Sequence, residues 1–89
     1  MLNVKDQVVL IAGATSPLGR SLARALVQGG ATVYVADRCL DAAARLAVAL
    51  GPGAHSLLLR PEVETDWAVA RASVVGIHGR LNSFLYCGV

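Results

Sequence analysis

Apolar and polar positions divide this chain into blocks of two alternating periodicities. Val8–Ala12 ("VVLIA") is an unbroken aliphatic run, the composition of a strand buried on both faces. From Pro17 to Gln28 the apolar residues recur at helical spacing. Leu18, Leu22 and Leu26, with Ala23 and Val27 beside them, form one stripe opposite Arg20, Arg24 and Gln28. Pro17 suits a first helical turn, which needs no amide donor there, and Gly29-Gly30 stops the helix. Thr32–Ala36 reads as a second strand ending on Asp37. A second helix, from about Leu40 to Leu50, turns Ala43, Leu46, Ala47 and Leu50 to one side before "GPG" breaks it. Ser56–Leu59 is a third strand. Thr65 is placed to cap a third helix running to about His78, with Val69, Ala72 and Val75 or Ile77 facing inward. "NSFLYCGV" supplies a fourth strand.

Strand–helix alternation repeated three times and ending on a strand implies parallel pairing through right-handed crossovers. The fold class is therefore α/β: one small domain with a partial parallel sheet of order 3-2-1-4 and helices on both faces. The first two helices share one face and the third takes the other. Ligands of such sheets bind where the strand order reverses, between the first and fourth strands. Two consequences concern association. With a single helix on one face, several side chains of Val8–Ile11 and Val33–Val35 are expected to meet solvent, and the fourth strand is an unpaired edge. Both predict self-association or pairing with another subunit.

Composition narrows the picture. Hydrophobic residues make up 55% of the 89 and charged residues 16%, which suits buried strands at a size where a single core is marginal. The net charge is +2, and the arginines are spread singly without interleaved aromatics, so nucleic acid is not an expected partner. The polar opening "MLNVKDQ" is unlike a signal peptide. No run approaches the roughly 18 apolar residues of a membrane span. The expectation is a soluble, cytoplasmic chain without membrane partners. Cys39 and Cys87 follow the second and fourth strands, with the first between them. That places them about 10 Å apart, beyond the roughly 7 Å Cα separation a disulfide tolerates, so both are expected as free thiols.

The stretch between Val8–Ala12 and the first helix carries the candidate chemistry. A strand entering a glycine turn and then a helix N-terminus gathers amides and the positive end of the helix dipole at one spot, which favours phosphate. A nucleoside-triphosphatase loop needs four residues between its glycines and a lysine after them. Here five residues separate Gly13 from Gly19, and Arg20 follows. Asp37, 18 residues past Gly19, stands where an acid accepts hydrogen bonds from a ribose hydroxyl. A carboxylate there repels a 2′-phosphate, which favours NAD(H), while Arg38 beside it keeps NADP(H) as the second reading. Taken alone, Asp37 also suits a plain helix-start acid, and Glu62 a solvated glutamate ahead of a helix.

The turn "AGATSPLG" resembles the T-G-x-x-x-G-x-G cofactor turn of the short-chain dehydrogenase/reductase family. Ala12 stands at the threonine, Gly13 and Gly19 at the outer glycines, and Pro17 at the middle one. "RPEVET" is similar to the family's R-x-D-V-x-D segment, and "GRLNSFLYCGV" to its G-x-L-D-x-L-V-N-N-A-G, one residue short. The resemblance covers the chain from about Asp6 onward and implies a Rossmann domain binding NAD. It implies a turn built on Gly13, Ser16, Leu18 and Gly19, with Asp37 and Arg38 at the adenosine ribose. It also implies Glu62 and Val63 beside the adenine, and Cys87 and Gly88 near the nicotinamide ribose. Pro17 adds a ring and removes an amide where the pyrophosphate would pass.

The family's chemistry, hydride transfer between a nicotinamide and a carbonyl or alcohol, uses a tyrosine and a lysine four apart on a later helix. The tyrosines here are Tyr34 and Tyr86, and the sole lysine is Lys5. No residue takes those catalytic roles. The expected function is thus the N-terminal NAD(H)-binding part of such an oxidoreductase, inactive by itself. The alternatives are a non-catalytic nucleotide-binding or subunit-pairing module, or a truncated product with no stable fold. His55 and His78 read as surface residues, and Trp67 as a packing anchor.

Overall fold

The aliphatic run and the blocks after it form the expected succession of elements in a computed structural model that describes residues 3–87. These are β1 (Val8–Ala12), α1 (Pro17–Gln28), β2 (Thr32–Asp37), α2 (Leu40–Leu50), β3 (Ala54–Leu58), α3 (Glu64–His78) and β4 (Ser83–Tyr86). The sheet runs β3-β2-β1-β4 with every pair parallel. Leu10 lies between Tyr34 and Phe84, and Ile11 between Val35 and Leu85. β3 begins two residues earlier than the sequence pattern indicates, because Ala54 pairs with Val33 and fills the core beneath α2.

Alternation along the central strands divides the core in two. Val9, Ile11, Val33 and Val35 pack with Ala23 of α1 and with Leu46 and Ala47 of α2. Val8, Leu10, Tyr34 and Ala36 pack with Ala70 and Val74 of α3. The second cluster overturns the expectation of exposed strand side chains. Every residue of β1 is buried, as are Val33, Tyr34 and Val35. Leu57, Leu59, Trp67 and Leu81 close over the face that α3 by itself would leave open.

The side of α3 that faces the sheet is also not the expected one. Val69 and Ile77 are 64% and 70% exposed, and Ala72 and Val75 lie on the outside with them. The inward stripe is Trp67, Ala70, Val74 and His78, spaced three, four and four apart as a helix face requires. Two polar anchors fix that rotation. The Trp67 indole donates to the Pro61 carbonyl at 2.8 Å, and His78 Nε2 meets the Tyr34 hydroxyl at 2.7 Å. His78 is therefore tied to the sheet, whereas His55 is exposed beside the same tyrosine. Thr65 does not cap the helix. Val63 holds the N-cap position without a side-chain bond, and Asp66 reaches back to the Arg60 amide at 2.9 Å and to its guanidinium at 2.7 Å.

On α1 the buried line passes through Gly19 and Ala23, with Leu22, Leu26 and Val27 partly buried beside it. Leu18 is 62% exposed. At about 100° per residue it falls outside the buried stripe. Among the described residues, no helix is long and apolar enough to cross a membrane. Both cysteines are free, Cys39 exposed and Cys87 buried.

Candidate functional site

The carboxyl ends of β1, β2 and β4 converge on the turn between β1 and α1, and hydrogen bonds tie that turn to both neighbouring strands. Gly13 sits at φ 71°, in the left-handed region that glycine enters without cost. The Ala14 amide donates to the Ala36 carbonyl of β2, and the Cys87 amide to the Ala12 carbonyl of β1. Ser16 is the N-cap of α1. Its hydroxyl donates toward the carbonyls of Gly13 at 3.0 Å and Cys87 at 2.9 Å, and accepts from the Gly19 amide at 3.1 Å. One hydroxyl thus fastens the turn, the first turn of α1 and the exit from β4.

Gly19 has a packing role. A Cβ there would lie 2.7 Å from Ala14 Cα and from the carbonyl oxygens of Gly13 and Ala14. No side chain fits between this helix and the turn beneath it.

At the end of β2, Asp37 is held on both carboxylate oxygens. Oδ2 accepts from the Thr15 hydroxyl at 2.7 Å and the Thr15 amide at 3.3 Å, and Oδ1 accepts from the Cys39 amide at 3.1 Å. Partial burial pushes its pKa up. The bonds from Thr15, Cys39 and Arg38 outweigh that, and the net result lies below the ordinary carboxylate value. Asp37 is charged at neutral pH. A carboxylate offers about four acceptor positions, and the bonds from Thr15 and Cys39 take three of them.

A cavity of about 360 Å³ opens over this point, lined by Gly13, Thr15, Ser16, Asp37, Arg38, Leu59, Pro61 and Tyr86. Four of the sequence candidates, Gly13, Ser16, Asp37 and Arg38, therefore share one crevice. The others stand differently. Gly19 is packed behind the turn, and Leu18 points to solvent. Glu62 turns to Arg38 across 2.9 Å and does not line the cavity. Val63 is the N-cap just ahead of α3, and Cys87 buries its side chain in the core. Gly88 lies outside the described residues.

Thr15, Leu59, Pro61 and Tyr86 were missed from sequence. Thr15 carries a legible signal, a hydroxyl two residues past a turn glycine and facing an acidic strand end. The other three depend on how β3, the following loop and β4 end in space. Tyr86 also stands edge-on to Trp67, with ring centres 5.8 Å apart, so the only tryptophan touches a wall of the crevice. Asn82, placed at the family's aspartate position, accepts the Val8 amide at 2.8 Å and registers β4 against the start of β1. Among the described residues, no three His, Cys, Asp or Glu side chains group as metal ligands.

A parallel 3-2-1-4 sheet with helices on both faces and a glycine turn after its first strand is a Rossmann-like α/β fold. Known proteins share it closely. The chain is 36% identical over 88 residues to an uncharacterized oxidoreductase of Mycobacterium tuberculosis, a match covering 92% of this chain and 32% of that protein. The crystal structure of a 3-ketoacyl-(acyl-carrier-protein) reductase from Brucella melitensis, complexed with NADH, superposes with a TM-score of 0.86 at 28% identity. That match covers 92% of this chain and 34% of the other. A short-chain type dehydrogenase/reductase from Mycobacterium ulcerans gives a TM-score of 0.89 at 28% identity, over 97% and 34% of the two chains. No protein-family model matches the chain. Over most of its length the chain is thus a Rossmann fold domain similar to those of short-chain dehydrogenase/reductases, and it spans about a third of the length of the relatives it matches.

Proposed function

We propose that the crevice over Gly13, Ser16 and Asp37 binds NAD(H), and that the chain is the cofactor-binding part of a short-chain dehydrogenase/reductase-like oxidoreductase. The observation that carries this reading is the Asp37 carboxylate. It is charged, fixed to the glycine turn by Thr15 and lines the cavity at the end of β2, where a ribose would present its hydroxyls. The same charge opposes a 2′-phosphate, so NAD(H) is the preferred cofactor and NADP(H) the weaker one. Support comes from the similar Brucella reductase, whose structure contains NADH. When bound, the nicotinamide would supply the hydride chemistry. This chain's own residues supply binding and orientation, because its 89 residues contain no tyrosine–lysine pair at helical spacing.

Calorimetric titration with NADH and NADPH tests the reading. The expected result is weak binding with NADH ahead, a smaller gap in Asp37→Ala, and no turnover with alcohols or ketones. Tighter binding of NADPH by the unaltered chain would overturn the assignment.

A second reading, a non-catalytic pairing module, has its own observation. The outer side of α3 and the free edge at β4 expose Val69, Ile77 and Tyr86. Binding of neither cofactor, together with stable association, would favour it.

A further inference from the structure

Beside Asp37 the crevice wall carries a cation already engaged. Arg38 lines the cavity, and its Nη2 lies 2.9 Å from Glu62 Oε1. Glu62 is outside the cavity lining, just ahead of α3. The other cation near Glu62 is Arg60, which is committed to Asp66 through Nε–Oδ2 at 2.7 Å and Nη2–Oδ1 at 3.0 Å. Arg38 is therefore the partner of Glu62, and Glu62 the partner of Arg38.

Guanidinium is the side chain best matched to a phosphate, offering several donors in a planar fork. A free arginine next to the ribose position would attract the 2′-phosphate of NADP(H). Asp37 repels that group, but its carboxylate is held by the Thr15 hydroxyl and by backbone amides and does not engage the Arg38 guanidinium. The occupying group is Glu62. The pair is solvated, its side chains 62% and 53% exposed, so it is weak enough for a removed carboxylate to change what Arg38 does.

We propose that Glu62 sets the cofactor preference of the crevice from outside it, by engaging the Arg38 guanidinium that a 2′-phosphate would otherwise bind. Glu62 is a positioning residue, and it acts through Arg38. The inference rests on the dinucleotide reading of the same crevice.

The test is calorimetric titration of the full chain with NAD⁺ and NADP⁺ at low ionic strength, in the parent, E62Q, E62D, R38A and R38A/E62Q. In E62Q the ratio of NADP⁺ to NAD⁺ affinity should rise by about threefold or more, the scale of a solvated ion pair. E62D, which keeps the charge, should return the ratio toward the parent value. In the R38A background, E62Q should no longer move it. A parent that binds cofactor while E62Q leaves the ratio unchanged would overturn this inference alone. An equal rise with and without Arg38 would do the same, because it would show only a general loss of negative charge. A parent that binds neither cofactor would overturn the reading of the crevice and this inference with it.

Discussion

The Thr15 hydroxyl donates to the Asp37 carboxylate across 2.7 Å, joining the glycine turn to the end of β2. This contact belongs to a turn that consumes most of its own donors. The amides of Ala14, Thr15, Ser16, Gly19 and Arg20 have partners within the chain, and Pro17 has no amide to offer. Among the described residues, that leaves the Leu18 amide as the unpaired donor of the first turn of α1. A phosphate entering here meets the helix dipole and few free N–H groups. Binding is accordingly expected to be weak and to depend on the Asp37 end of the crevice.

Thr15→Val tests that dependence. The substitution keeps the shape and removes the hydroxyl, so Asp37 loses the strongest of the bonds that lower its pKa. The carboxyl pKa should rise, as followed by its carbon shift in an NMR titration. NADH affinity should fall by about fivefold, the equivalent of about 1 kcal/mol for a lost hydrogen bond. An unmoved Asp37 titration would show that the hydroxyl does not hold the carboxylate.

Gly19→Ala should cost stability before it costs binding. The added methyl would meet backbone atoms of Gly13 and Ala14 at 2.7 Å, and backbone cannot rotate aside as a side chain can. Overpacking of this kind costs about 1–3 kcal/mol, read as a lower midpoint in urea unfolding. Tolerance without loss would mean that the turn and α1 separate readily.

Much of this was legible in the sequence, for identifiable reasons. Val8–Ala12 contains no polar residue, and a strand of that kind fits only the middle of a covered parallel sheet. Gly13 and Asp37 were legible because a turn glycine and a strand-end acid carry their chemistry in residue type and spacing. The face of α3 was not. Apolar residues surround that helix, so its periodicity does not single out Ala70 and Val74 over the larger Val69 and Ile77. Tyr34–His78 and Trp67–Pro61 fix the rotation, and both join positions far apart or on different elements. Glu62 was placed beside an adenine by resemblance. Its partner Arg38 lies in the loop after β2, far back along the chain, which spacing does not reveal.

Acid should loosen the start of α3. Bonds from the Arg60 side chain and amide lower the Asp66 pKa from the ordinary 3.8 to about 2. A carboxylate with a depressed folded pKa contributes stability that is complete above the unfolded value and lost as pH falls through the folded one. Between about pH 4 and pH 2, then, the Arg60–Asp66 link should weaken and amide exchange at Glu64–Trp67 should quicken. Asp66→Asn should remove that pH dependence. Exchange that is flat through this window in the parent chain would refute the assignment.

Association should follow from the β4 edge and the outer side of α3 rather than from the sheet faces, which are covered. β4 pairs with β1 on one side only, and an edge of this kind presents free N–H and C=O groups to another strand. Phe84 and Tyr86 are 38% and 56% exposed along it, and Val69 and Ile77 of α3 add exposed aliphatic surface. Burying an isoleucine or valine gains roughly 1.5–3 kcal/mol, so covering two of them contributes on the scale of a small domain's whole stability, about 5 kcal/mol. Light scattering at micromolar concentration should therefore show dimers or larger species. Ser83→Lys sets a charge on the free edge at an exposed position, and charged edges resist pairing. That variant should shift the distribution toward monomer without lowering the unfolding midpoint. A parent chain that stays monomeric and unfolds cooperatively would show that the 89 residues tolerate this edge unaided.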